Sequence, residues 1–134
     1  AQGRPFFIPM TSPHCIFVQD KENRLTAPPR VKYCESFLCR LRGLTFHPSI
    51  TRDEGLLLVF GRDSRVDSSI HMLGVGFDLA VFWINSELQV VDKIVAGAWK
   101  PAYFPKAPAR YVLEVHASRI NDFEIGQNLK FENA

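Results

Sequence analysis

Residues 79–95 read LAVFWINSELQVVDKIV. The run Leu79–Ile84 is short, continuous and apolar, and rich in β-branched and aromatic side chains. That pattern predicts a strand. Leu88–Val95 is a second strand-like run, and Asn85-Ser86-Glu87 between them has the length of a hairpin connection although it lacks glycine. An antiparallel pair is expected here.

Working outward, Leu56–Phe60 is another continuous apolar run, Tyr111–Val115 has a strand pattern, and Ile125–Asn128 makes a turn into a closing strand, Leu129–Phe131. Upstream, Cys15–Val18 precedes the polar cluster Asp20-Lys21-Glu22-Asn23, which predicts a hairpin turn with a returning strand directly after it. Pro28-Pro29 then interrupts, and Arg30–Cys34 alternates as a further strand. Ile70–Val75 reads as an apolar strand segment. The one helix is expected over 36–43, with Phe37, Leu38 and Leu41 on one face and Gly43 ending it. Three prolines, Pro101, Pro105 and Pro108, make the stretch around Trp99–Ala109 an irregular loop. The fold class expected is mainly β, a small compact β-barrel-like domain with one short α-helix near residues 36–43. Residues 1–13, with Pro5, Pro9 and Pro13, read as an N-terminal arm, and 14–134 as a single β-rich domain.

Composition supports that outline and removes several function classes. With 134 residues, 46% hydrophobic and 22% charged, the chain has the make-up of an ordinary globular domain. Net charge is +2, and it is unevenly spread. Residues 1–65 carry eight arginines and two lysines against six acids, and 66–134 carry two arginines and four lysines against eight acids. Acids interrupt the basic residues throughout, which argues against a polyanion-binding face and makes nucleic acid an improbable partner. The apolar runs fall far short of the roughly 20 residues of a membrane-spanning helix. Three cysteines, Cys15, Cys34 and Cys39, do not make an even disulfide framework, and their spacing is not that of a zinc site. They read as buried small apolar groups in a reducing compartment, so a cytoplasmic location is expected and no metal is assigned. A leader removed ahead of Ala1 is compatible with the start of the chain.

Four fragments, Arg40-Leu41-Arg42-Gly43-Leu44, Gly55-Leu56-Leu57-Leu58, Ser69-Ile70-His71-Met72 and Ala109-Arg110-Tyr111-Val112-Leu113-Glu114, occur in an order and spacing that resembles domain of unknown function 192. The resemblance runs over residues 30–132 and implies a small β-barrel-like fold. It also implies positions where this sequence departs. Phe77 matches the family's aromatic, but Asp78 stands where proline is common, Ala80 where aspartate is common, and Gln127 where aspartate often follows Gly126. The resemblance implies no particular activity.

Candidate residues come from both sources. His71, in an apolar segment, has the chemistry to titrate near neutral pH or to bind a ligand, while a core histidine bonded to backbone carbonyls is the plainer alternative. Glu114 and His116, two apart on a strand, share a face as a pair of ligands would, and so do the polar residues of any half-buried strand. Arg40 and Arg110 have the chemistry to form a fork for a carboxylate or phosphate, although Arg40 also suits the end of a helix dipole. Trp99, Tyr103 and Phe104 lie in a proline-stiffened loop suited to recognition, or to plugging one end of a barrel. No phosphate loop, nucleophile elbow or zinc-protease motif is present.

These features do not assign a reaction or a cofactor. The leading expectation is a non-catalytic binding or accessory module that acts through the aromatic, proline-rich loop on a protein partner or small molecule. The alternatives are a metal- or small-ligand-dependent enzyme built from His71, Glu114 and His116, and a single-stranded nucleic-acid binder using aromatics and arginines.

Overall fold

The computed structural model describes residues 14–45 and 47–134. The expected N-terminal arm lies outside the described residues. Seven strands form one sheet: β1 Cys15–Asp20, β2 Arg30–Cys34, β3 Glu54–Ser64, β4 Leu79–Ile84, β5 Val90–Ala96, β6 Ala109–His116 and β7 Leu129–Asn133. Their order is β5-β4-β6-β3-β2-β1-β7. Every neighbouring pair is antiparallel except β2 and β3, which run parallel across the helix α1, Phe37–Arg42. The sheet curls until its two outer strands touch at one corner: Gln89 bridges Asn128, Val90 N donates to Gln127 O at 3.0 Å, and Leu129 N donates to Leu88 O at 2.8 Å. The result is the expected mainly β fold, a half-barrel with little helix.

Because β3, β4 and β6 are apolar on both faces, the sheet separates two cores. The inner one gathers Ile16, Val18, Val31, Leu57, Val59, Ala80, Phe82, Ile84, Leu113, Val115 and Leu129, with Phe123 edge-on to Phe82 at 5.3 Å and Phe131 edge-on to Tyr111 at 5.1 Å. The outer one contains Leu56, Leu58, Leu79, Val81, Trp83 and Val112 from the strands, covered by Ile70, Met72 and Val75. Trp83 Nε1 donates to Ser68 O at 2.8 Å and fastens that covering segment to the sheet. Gly55 marks the tightest point: a Cβ there would stand 2.7 Å from both Glu114 O and Val115 Cγ1, so β3 and β6 pack this closely only over glycine.

Several expectations need correction. No strand returns directly after Asp20–Asn23; β1 instead pairs with β2 beyond the prolines. The Gln19 carboxamide holds the intervening loop by bonding both backbone groups of Leu25 at 3.0 Å. The Ile70–Val75 segment is not a strand either, because its ladder is a single bridge from Ile70 to Tyr103. The helix forms where expected, capped by Ser36, but its apolar face is outward: Phe37, Leu38 and Leu41 are 69%, 67% and 60% exposed. One helical turn and a half contributes too little to orient itself, and its other side is fixed by Cys39 and Arg40. The cysteines are not all free thiols, since Cys34 and Cys39 are disulfide-bonded and only Cys15 among them is free.

Candidate functional site

Two neighbouring places on the outer face collect the residues singled out in the sequence. The first is built on β6. Glu114 pairs with Leu56 of β3 on one side and Val81 of β4 on the other, which turns its side chain into the outer core. It is 5% exposed, and among the described residues no hydrogen bond or charge acts on its carboxyl. Burial alone pushes its pKa from 4.5 up to about 7, because water no longer stabilises the charged form. Glu114 lines a small half-open cavity of about 50 Å3, walled by Leu41–Thr45 from the end of α1 and by Ser69–Met72 and Val75 from the covering segment. Buried acids with perturbed ionisation in a cavity mark candidate functional sites.

His71 lines the same cavity from its exposed edge. It is not the core histidine of the plainer alternative; its Nδ1 accepts from Leu73 N at 3.2 Å, leaving Nε2 to carry the proton in the neutral ring. His116 is not brought to this cavity. Its Nδ1 lies 2.8 Å from Ser118 Oγ and accepts from Ser118 N, as the cap of a short 3-10 turn, Ala117–Arg119. Among the described residues no three potential metal ligands converge. Arg42, Gly43 and Leu44 also line a larger groove of about 560 Å3, which reaches Lys32, Leu38, His47, Ile50 and Leu56.

Arg40 and Arg110 are both engaged by backbone carbonyls of β3. The ladder between β3 and β6 shifts register between Val59 and Ser64. There Arg40 donates to Val59 O at 3.1 Å and Arg110 Nε to Phe60 O at 2.9 Å. Each guanidinium also lies over a ring, Arg40 over Phe60 and Arg110 over Tyr111. Groups freed by a bulge need donors, and these arginines supply them.

The second place is the aromatic loop. Trp99 and Phe104 are 59% and 55% exposed, whereas Tyr103 packs against the outer core and its hydroxyl accepts from Gly97 N at 2.8 Å. The loop is held along its length. Trp99 N donates to Val75 O, Met72 N to Lys100 O, and Ile70 and Tyr103 exchange both backbone bonds. Asp78 Oδ1 accepts from Ala98 N and Asp92 Oδ2 from Lys106 N, each at 2.9 Å, and Arg65 Nε donates to Pro105 O. Trp99 itself adopts φ +64°, a conformation that costs free energy for a bulky residue and persists only where neighbours impose it.

The departures from the family pattern now have local reasons. Asp78 anchors the loop that carries Trp99. Ala80 is fully buried in the inner core, where an unpaired acid would be costly. Gln127 donates to the buried Asp20, whose carboxyl it holds below its ordinary range, and an aspartate there would repel it. A buried arginine, Arg119, was not legible in the sequence. It donates to Ala27 O at 2.7 Å and Arg52 O and pairs with Asp122, tying three connections together.

Comparison with known proteins agrees with this architecture. The family model for domain of unknown function 192, described as "Uncharacterized ACR", matches residues 17–131, and the chain belongs to that family. A UPF0127 protein of Thermococcus kodakarensis is 33% identical over 96 residues, covering 72% of this chain and 59% of its own. One from Thermococcus gammatolerans is 34% identical over 104 residues, covering 76% and 66%. The chain thus spans about three-fifths to two-thirds of these relatives' length. A crystal structure of a "putative transcription regulator" from Sinorhizobium meliloti superposes with a TM-score of 0.75 at 18% identity, covering 88% of this chain and 92% of its own. A protein of unknown function from Novosphingobium aromaticivorans gives 0.73 at 16%, covering 87% and 83%. At such identities these structures establish the fold alone. No helix among the described residues is long and apolar enough to cross a membrane.

Proposed function

We propose that this family member is a non-catalytic binding module that presents Trp99 and Phe104 to a protein partner. The observation that carries the reading is a loop fixed at both ends and in its middle while its two largest apolar side chains remain in solvent. Ordering a flexible loop costs free energy on association; a loop already ordered avoids that cost, and rigid aromatics are the side chains that dominate binding energy. Exposed Lys100 and Lys106 beside them favour a partner surface with an apolar pocket and an acidic rim. Residues 14–134 act in this reading as one domain, with 1–13 as a second point of contact.

We infer a cytoplasmic location or, where a leader directs export, an oxidising compartment, which the Cys34–Cys39 bond would suit. The test of the module is affinity capture from the source organism with the wild-type protein and a Trp99→Ala/Phe104→Ala variant, followed by native mass spectrometry. A protein subunit retained by the first and lost by the second is the expected result. Equal retention by both would sink the reading.

A further inference from the structure

The Glu114 cavity is independent of the aromatic surface, and its chemistry is narrower. Here Glu114, 5% exposed and with no side-chain partner among the described residues, lines a small half-open space. At about 50 Å3 the space holds one or two waters, each taking roughly 30 Å3, or one polar head with a methyl or methylene attached. The geometry points to a binding site for the ammonium head of a small primary amine, with Glu114 as its counter-ion.

Three features select that class. A buried carboxylate is costly alone, and a cation with N–H donors offsets its charge and satisfies its lone pairs. A divalent metal fits poorly, since Glu114 and His71 are the ligating side chains on the lining, and such ions take four or more ligands. The remaining walls, Leu41, Leu44, Leu58, Ile70, Met72 and Val75, suit the hydrocarbon next to an amine. Arg42 and His71 are the other titratable groups on the lining; both are exposed, so solvent screens them while Glu114 is shielded. Thr45 and Ser69 complete the polar side of the lining.

The probe is methylammonium chloride, titrated above neutral pH into methyl-labelled protein and followed by NMR, with sodium chloride at matched ionic strength as the reference. Saturable shifts are expected at Met72 and Val75, with a dissociation constant no tighter than millimolar for so small a molecule. Glu114→Gln, which keeps the side chain's size, should weaken binding by roughly tenfold or more. Tetramethylammonium, bulkier and without N–H donors, should leave these methyls unmoved. Wild type titrated well below the Glu114 pKa of about 7 should lose the response as the carboxyl is protonated, a check that holds even if the variant folds badly. Shifts no larger than with sodium chloride, saturation by tetramethylammonium, or a Glu114→Gln response equal to wild type would each overturn the assignment. None of these outcomes depends on Trp99 or Phe104.

Discussion

The two faces of the sheet differ in what they bury. The inner face is dominated by apolar side chains, closed by the Phe82–Phe123 and Tyr111–Phe131 edge contacts, and its charged members are partnered, Asp20 by Gln127 and Lys93 by the Ile120 and Phe123 carbonyls. The outer face buries an acid with no partner among the described residues, is covered by a segment joined to the aromatic loop through backbone bonds, and leaves the apolar side of α1 in solvent. A face selected for stability alone would not hold Glu114, because an apolar residue of the same volume would remove the desolvation cost. The inner face therefore makes the fold, and the outer face is where the candidate chemistry and recognition lie.

The largest effect expected from this contrast is on the inner face. Phe82→Ala should cost about 3–5 kcal/mol in denaturant unfolding, whereas Phe37→Ala, on the exposed helix, should change stability by less than about 0.5 kcal/mol. Comparable losses at both positions would mean that α1 is covered in solution.

A slightly smaller effect belongs to Glu114. Its pKa is raised on folding, so the folded state holds the extra proton, and stability is fully present below the unfolded value of 4.5 and is lost as pH rises through about 7. The loss should be on the order of 3 kcal/mol. Glu114→Gln should flatten this part of the stability–pH profile, and a profile unchanged by the substitution would show that the carboxyl is not buried as described.

Next, Cys39→Ser opens the loop between Cys34 and Cys39, and chain entropy for so short a loop gives a loss of about 2 kcal/mol. A melting point that is unchanged by the substitution would argue that the bond does not constrain the chain. Smallest of all, Trp99→Ala/Phe104→Ala should leave unfolding within about 0.5 kcal/mol of wild type, as befits side chains that serve a partner rather than the core. A larger loss would move those aromatics into the structural account.

The inner face was also the more legible of the two. Leu56–Phe60 announced a doubly buried strand because an unbroken apolar run has few other uses, and Leu79–Ile84 and Tyr111–Val115 carried strand patterns. The outer face depends on the path of connections. Periodicity placed Phe37, Leu38 and Leu41 on one side of a helix correctly, yet carried no information on which side faces the sheet. His71 and Glu114 stand 43 positions apart, and only the route of the covering segment brings them to one cavity while His116 turns away to cap its own turn. The parallel pairing of β2 with β3 was equally hidden, because strand patterning does not encode the direction of the neighbour. Arg119 left no local signal, since its three partners lie 3, 67 and 92 positions away.

The pairing of β1 with β7 joins Ile16 to Asn133 and Asp20 to Leu129. During synthesis β1 emerges first of the seven strands and its partner last, so one edge of β1 stays open while all the others are made. Contacts so distant in sequence are slow to form, and an unpaired edge is where chains adhere to one another. The buried Gln19 and Asp20 and the charged run that follows, Lys21, Glu22 and Arg24, lie at the end of that edge. They give the nascent chain a polar guard until β7 arrives.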